Sequence, residues 1–145
     1  MTISEDLRKH RHELVVKHIE AENAQDAETA LHTFTHPKYD LRAVEGGVIE
    51  GSAQVHEFIR GFRASLPSIT YVGTSIHHAD NAVIVEYRIV GRHDGDYAGI
   101  PPTGAEVDFP AIAVYEFDGP DLVCERMYLN LRGLEAQMRG GRTGD

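Results

Sequence analysis

The chain has 145 residues, 41% apolar and 26% charged, which suits a single globular domain with an ordinary core. Its 14 Lys and Arg against 23 Asp and Glu leave a formal charge of −9, which argues against the positive footprint that nucleic acid or an anionic membrane surface requires. The lone cysteine, Cys124, excludes an internal disulfide, no apolar run reaches the ~20 residues of a membrane span, and MTISEDLRKHRHE has no apolar signal core, so a cytoplasmic location is expected.

Ser4 caps a predicted helix that runs to about Asn23, with Glu5 and Asp6 at its positive end. Leu7, Leu14, Val15, His18, Ile19 and Glu22 share one side of it, so two polar residues interrupt an apolar stripe. Asp26 caps a shorter helix to about Thr35, stopped by Pro37. Residues 39–44 alternate weakly as a strand, Gly46-Gly47 turns it, and Val48–Glu50 returns. Ser52–Ser65 reads as a third helix with Val55, Phe58, Ile59 and Phe62 on its core face. Four long strands follow, over residues 69–78, 82–93, 107–117 and 122–131, then a short helix over 134–139 and a mobile tail over 140–145. The expectation is one α+β domain over residues 1–139, with three N-terminal helices packed on an antiparallel sheet.

Strand alternation sorts the faces. Val83, Val85, Tyr87, Ile89 and His93 share one face of the second long strand; Glu86, Arg88 and Arg92 share the other. Val107, Phe109, Ala111, Ala113, Tyr115 and Phe117 line one face of the third. In the fourth, Cys124, Arg126 and Tyr128 oppose Glu125, Met127 and Leu129. Cys124 reads as a half-buried structural thiol. Small side chains at Ala111 and Ala113 leave room on the inner face, which predicts a mainly apolar pocket for a small ligand.

Residues 91–117, GRHDGDYAGIPPTGAEVDFPAIAVYEF, join two strands through a loop punctuated by Gly91, Gly95, Gly99, Pro101-Pro102 and Gly104. This stretch resembles the SnoaL-like polyketide cyclases of the nuclear-transport-factor-2-like superfamily. LNLRGLEAQMR near the C-terminus, AENAQD after the first helix and HPKY extend the likeness over most of the chain. The resemblance implies a strongly curved, cone-shaped sheet of cystatin-like form with helices laid across its hollow. It also implies a small apolar ligand, no metal, nucleotide or flavin cofactor, and a homodimer through the outer sheet face, where Glu86, Arg88 and Arg92 would pair across subunits. Carried over, the family's catalytic Asp falls at Met127, its partner His at Ala113 and a second acidic position at Asn130. The ketosteroid isomerase base would fall near Arg42, its protonated Asp at Ala113 and its oxyanion-donating Tyr at His18.

With those positions lost, His18 and Glu22 are the catalytic candidates. Their i, i+4 spacing puts an imidazole beside a carboxylate, either as an acid–base pair or as an exposed helix pair. Tyr39, Tyr87, His93, Phe109, Tyr115, Met127 and Asn130 form the expected substrate-binding set, with His93 either a rim donor or a loop-stabilising hydrogen bond. The expected function is general acid–base proton transfer on an apolar carbonyl-bearing substrate, polyketide- or steroid-like. The alternative is a non-catalytic binding or interaction module that has lost the family's Asp and His. Nine histidines raise a metal site, but His32 and His36 straddle the end of a helix with no third ligand evident, and none is expected. No glycine-rich loop precedes a helix, so no phosphate cradle is expected.

Overall fold

The structure is a computed structural model and describes residues 2–42 and 44–140. Ser4 accepts a hydrogen bond from Leu7 N at 3.1 Å and starts helix α1, Glu5–Asn23. Asp26 accepts from Thr29 N at 3.0 Å and starts α2, Ala27–His32, which ends earlier than expected. Its last turn closes on Thr33, whose hydroxyl donates to Ala30 O at 2.6 Å and competes with the helical ladder. Strands β1 (Lys38–Leu41) and β2 (Val48–Glu50) form a hairpin, and α3 spans Ser52–Ser65. Strands β3 (Thr70–Ala79), β4 (Ala82–Arg92), β5 (Glu106–Asp118) and β6 (Asp121–Leu129) then run consecutively into α4, Leu131–Met138. The expected tail lies outside the described residues beyond Gly140. No helix among the described residues is long and apolar enough to cross a membrane.

The six strands form one sheet in the order β2-β1-β6-β5-β4-β3. The expectation of an antiparallel sheet needs one correction: β1 runs parallel to β6, with Tyr39 opposite Glu125 and Leu41 opposite Met127. The other four pairings are antiparallel. Bulges between Gly73 and Ser75 and between Glu116 and Phe117 add local bend. Alternation places the inner faces as expected. Val83, Val85, Tyr87 and Ile89 of β4 are buried, as are Phe109, Ala111, Ala113 and Tyr115 of β5.

α1 is fixed to the sheet at both ends, which decides where its polar pair lies. Near its start, Arg11 donates to Gly119 O at 2.9 Å and Asp80 O at 2.8 Å, its guanidinium 5.3 Å from the Phe117 ring centre. At its end, Asn23 exchanges two hydrogen bonds with the backbone of Tyr71, at 2.9 and 2.8 Å. The helix therefore spans the inner face, and His18 and Glu22 point into it. The glycine-punctuated loop braces α3 instead of lining a site. Asp94 N and Gly95 N donate to Ser65 O at the end of that helix, and the backbone there leaves no room for a Cβ on Gly95. On the outer face the cross-subunit ion pairs foreseen for Glu86, Arg88 and Arg92 meet partners within the chain. Glu86 takes His77 at 2.8 Å, Arg88 takes Asp108 at 2.9 Å and Arg92 takes Asp94 at 3.0 Å.

Candidate active site

His18 is fully buried at 0% exposure. Its Nδ1–H donates toward Thr33 Oγ1 at 2.9 Å and Ala30 O at 3.1 Å. A carbonyl can only accept, so Nδ1 carries a proton and Nε2 is turned toward the opposite wall. There it meets Glu125 Oε2 at 3.1 Å and Glu22 Oε1 at 3.4 Å. The Tyr39 hydroxyl donates to Glu22 Oε1 at 2.9 Å. Phe34, Tyr39 and Tyr115 stand edge-on around the imidazole, with ring centres 5.4–6.4 Å away. Parallel pairing of β1 with β6 builds this arrangement, because it sets Tyr39 directly opposite Glu125.

Burial alone pulls the His18 pKa down, but the two carboxylates outweigh it and push it up to about 10. Burial raises Glu22; the His18 charge and the hydrogen bonds from His18 and Tyr39 overcome it and hold Glu22 below its usual value. Glu125 goes the other way, raised chiefly by its burial, with His18 opposing and the neighbouring Glu22 adding. Two carboxylates around one imidazolium cannot both ionise cheaply in a dry interior. The shared site therefore favours an imidazolium with Glu22 as the more readily ionised carboxylate and Glu125 as the one that holds a proton more strongly. Burial first, then Glu125 and Glu22, push the Tyr39 phenol well above its ordinary value, so it remains a donor.

Of these groups, Glu22 and Tyr39 reach a cleft. It is walled by Phe58, Ile59, Phe62 and Arg63 of α3, Ile69, Tyr71 of β3, and Met127 and Leu129 of β6. Its enclosed volume is about 20 Å³, room for about one water, and Phe58, Phe62 and Arg63 in its wall are half-buried. Arg63 Nη2 donates to Glu22 O at 2.6 Å.

The structure brings together His18, Glu22, Tyr39 and Met127 from the expected set, with Tyr115 packed behind the imidazole. Tyr87 lies one layer deeper, edge-on to Tyr71 at 5.8 Å, and Phe109 is buried core away from the cleft wall. His93 is a loop brace: its Nδ1 lies 3.0 Å from Thr103 Oγ1 and 3.4 Å from Thr103 N, and the Thr103 hydroxyl donates onward to Met138 O. Asn130 caps α4 by accepting from Gly133 N at 3.0 Å and stays outside the cleft. The residues that sequence reasoning passed over are Glu125, Arg63 and Tyr71. Glu125 shares the inner face of β6 with Met127, so the strand that lacks a carboxylate at Met127 supplies one two residues earlier. His18 Nε2 and the Glu22 and Glu125 carboxylates lie within 4.8 Å of one another and have the donor types of a metal site. An ion there must displace the proton that His18 holds up to about pH 10.

The SnoaL-like domain family matches residues 15–125. The chain belongs to this family, within the nuclear-transport-factor-2-like superfamily. No curated protein matches the sequence. Among solved structures, a protein named as a SnoaL-like polyketide cyclase from Jannaschia sp. superposes with TM-score 0.84 at 18% identity, over 95% of this chain and 97% of that one. A protein named as a polyketide cyclase from Xanthomonas campestris gives 0.82 at 20% identity, over 91% and 98%. A protein with a ketosteroid isomerase-like fold from Catenulispora acidiphila, in complex with trimethylamine, gives 0.72 at 17% identity, over 88% and 92%. At these identities the likeness is one of fold.

Proposed function

We propose that the protein is a small-molecule enzyme that moves a proton at carbon beside a carbonyl, with Glu22 as the general base. The observation that carries this reading is the Glu22 carboxylate: only 7% exposed, opening on an apolar cleft, with its charge balanced from behind by His18. Such a base abstracts an activated C–H proton, and negative charge passes to the substrate oxygen. Tyr39, whose hydroxyl already points at Glu22, is placed to donate to that oxygen. Glu22–H then returns the proton to carbon or oxygen. His18 acts through Glu22 and never needs to touch substrate. The reaction calls for no metal, nucleotide or flavin, and a cytoplasmic, membrane-independent enzyme accords with it.

β-Tetralone, an apolar bicyclic ketone with acidic α-protons, tests the reading without knowledge of the natural substrate. Its α-protons should exchange in deuterated buffer faster with protein than without, by proton NMR. Ketones that bind with no exchange above buffer would favour the second reading, a binding module. The small enclosed volume and the loss of the family's own acid–base residues at Met127 and Ala113 speak for that alternative.

A homodimer through the outer sheet face belongs to the same proposal. Ile112 of β5 is 39% exposed, and Tyr128, its register partner on β6, is 47% exposed. Together they form an uncovered apolar step on that face. Sedimentation velocity at micromolar concentration should show a dimer, shifted toward monomer by Tyr128→Asp; monomer alone in the wild type would remove it.

A further inference from the structure

We infer that the ligand of the cleft carries a single negative charge, a carboxylate on a small apolar ring, which docks on the guanidinium of Arg63. The inference rests on the cleft being the ligand site, as proposed above, and adds the class of ligand. Arg63 is the cation in the cleft wall. No carboxylate among the described residues pairs with it, and its one hydrogen bond goes to the backbone carbonyl of Glu22. Its Nε is shielded from solvent yet has no hydrogen-bond partner. An N–H in that condition forfeits its water without replacement, which native structures avoid unless something else fills the place.

Charge balance leads to the same ligand. Glu22 is neutralised by His18 behind it, at 3.4 Å. Glu125, enclosed and against the imidazole at 3.1 Å, is not among the cleft-lining residues. The guanidinium is left in the cleft wall with no ion-pair partner among the described residues, beside an apolar wall of Phe58, Phe62 and Leu129. An anion gives that shielded Nε a partner; a neutral ligand without an acceptor there leaves it unmet. A planar carboxylate also matches the fork of donors that a guanidinium presents. Anchored there, a ring presents its carbons toward Glu22 and not its charge.

The test compares benzoate with benzamide, which has nearly the same shape and no charge, by calorimetric titration at millimolar concentration. Wild-type protein should bind benzoate at least about tenfold more tightly, and Arg63→Gln should abolish the difference. Arg63→Lys, which keeps the charge without the fork, should retain part of it and serves where the Gln variant does not fold. Equal affinities, absence of benzoate binding, or a preference that survives in Arg63→Gln would each overturn the inference. β-Tetralone exchange on the same samples separates this result from the proposed function. Benzoate selectivity without exchange keeps the anion site and removes the proton-transfer reading; exchange without selectivity does the reverse.

Discussion

Replacing His18 by Ala should lower the stability of the fold by about 3–5 kcal/mol at neutral pH, the usual cost of leaving a buried charge without its partner. The imidazole is fully enclosed, and its loss strands Glu22 and Glu125 in the same dry space. The pH dependence gives the loss a signature. In the wild type, His18 is raised from 6.5 to about 10, so its contribution is complete below its unfolded value and is lost as pH climbs through about 10. Glu22, held low, contributes above its unfolded value and loses that contribution on acidification. In the variant Glu22 keeps only the influence of Arg63 and Glu125 loses its cation, and burial raises both. Its stability should therefore fall as pH rises past the ordinary carboxylate range, where the wild type still holds. Urea unfolding across pH checks this, and a variant as stable as wild type near neutrality would contradict it. The enclosed network makes His18→Ala chiefly a probe of stability.

Replacing Glu22 by Gln should cut the rate of β-tetralone exchange by about 10²–10⁴, the usual worth of a positioned general base. Gln keeps the length of Glu and can accept from the Tyr39 hydroxyl, and Glu125 at 3.1 Å remains beside the imidazole as a carboxylate partner, so urea unfolding of the variant is measured beside its exchange rate. The informative control is Glu125→Gln. If Glu125 already holds a proton at rest, its amide replacement is close to isoelectronic, and exchange should change little. Equal losses in both variants would mean that the two carboxylates share the role; a loss confined to Glu125→Gln would exchange their assignments.

The local parts of this structure are legible in the sequence because they depend on neighbours in the chain. Ser4 and Asp26 cap α1 and α2 as their types predict, and α3 takes the range Ser52–Ser65 that its apolar spacing marks. Alternation sorts β4 and β5 correctly, because a half-buried strand has only two faces; in β6 it places Glu125 and Met127 inward but misses Cys124, which reads as half-buried on the other face and is buried at 5% exposure. The parallel pairing of β1 with β6 is not legible, since it joins segments far apart in sequence and no turn chemistry announces it. That is why Glu125 goes unrecognised. Its face is known from alternation, but its neighbour Tyr39 arrives through the unforeseen pairing. Arg63 escapes for another reason. It follows Phe62 just off the core stripe of α3, and only its long stem carries the guanidinium back to Glu22 O. His93 takes the second of its two readings, the loop-stabilising bond, and Asn130, placed in the binding set, caps a helix. Each is spent on a short-range bond, to Thr103 and to Gly133 N, of the kind that loops and helix caps require.

The account turns on where one proton rests, and nitrogen-detected NMR of the His18 ring reads it directly. With ¹⁵N-labelled histidine at mildly alkaline pH, both ring nitrogens of His18 should show the shifts of an imidazolium and retain them until about pH 10. Exposed histidines such as His36 serve as the internal reference in the same spectrum. A neutral His18, with Nε2 unprotonated at that pH, would leave Glu22 without its balancing charge and would contradict the account.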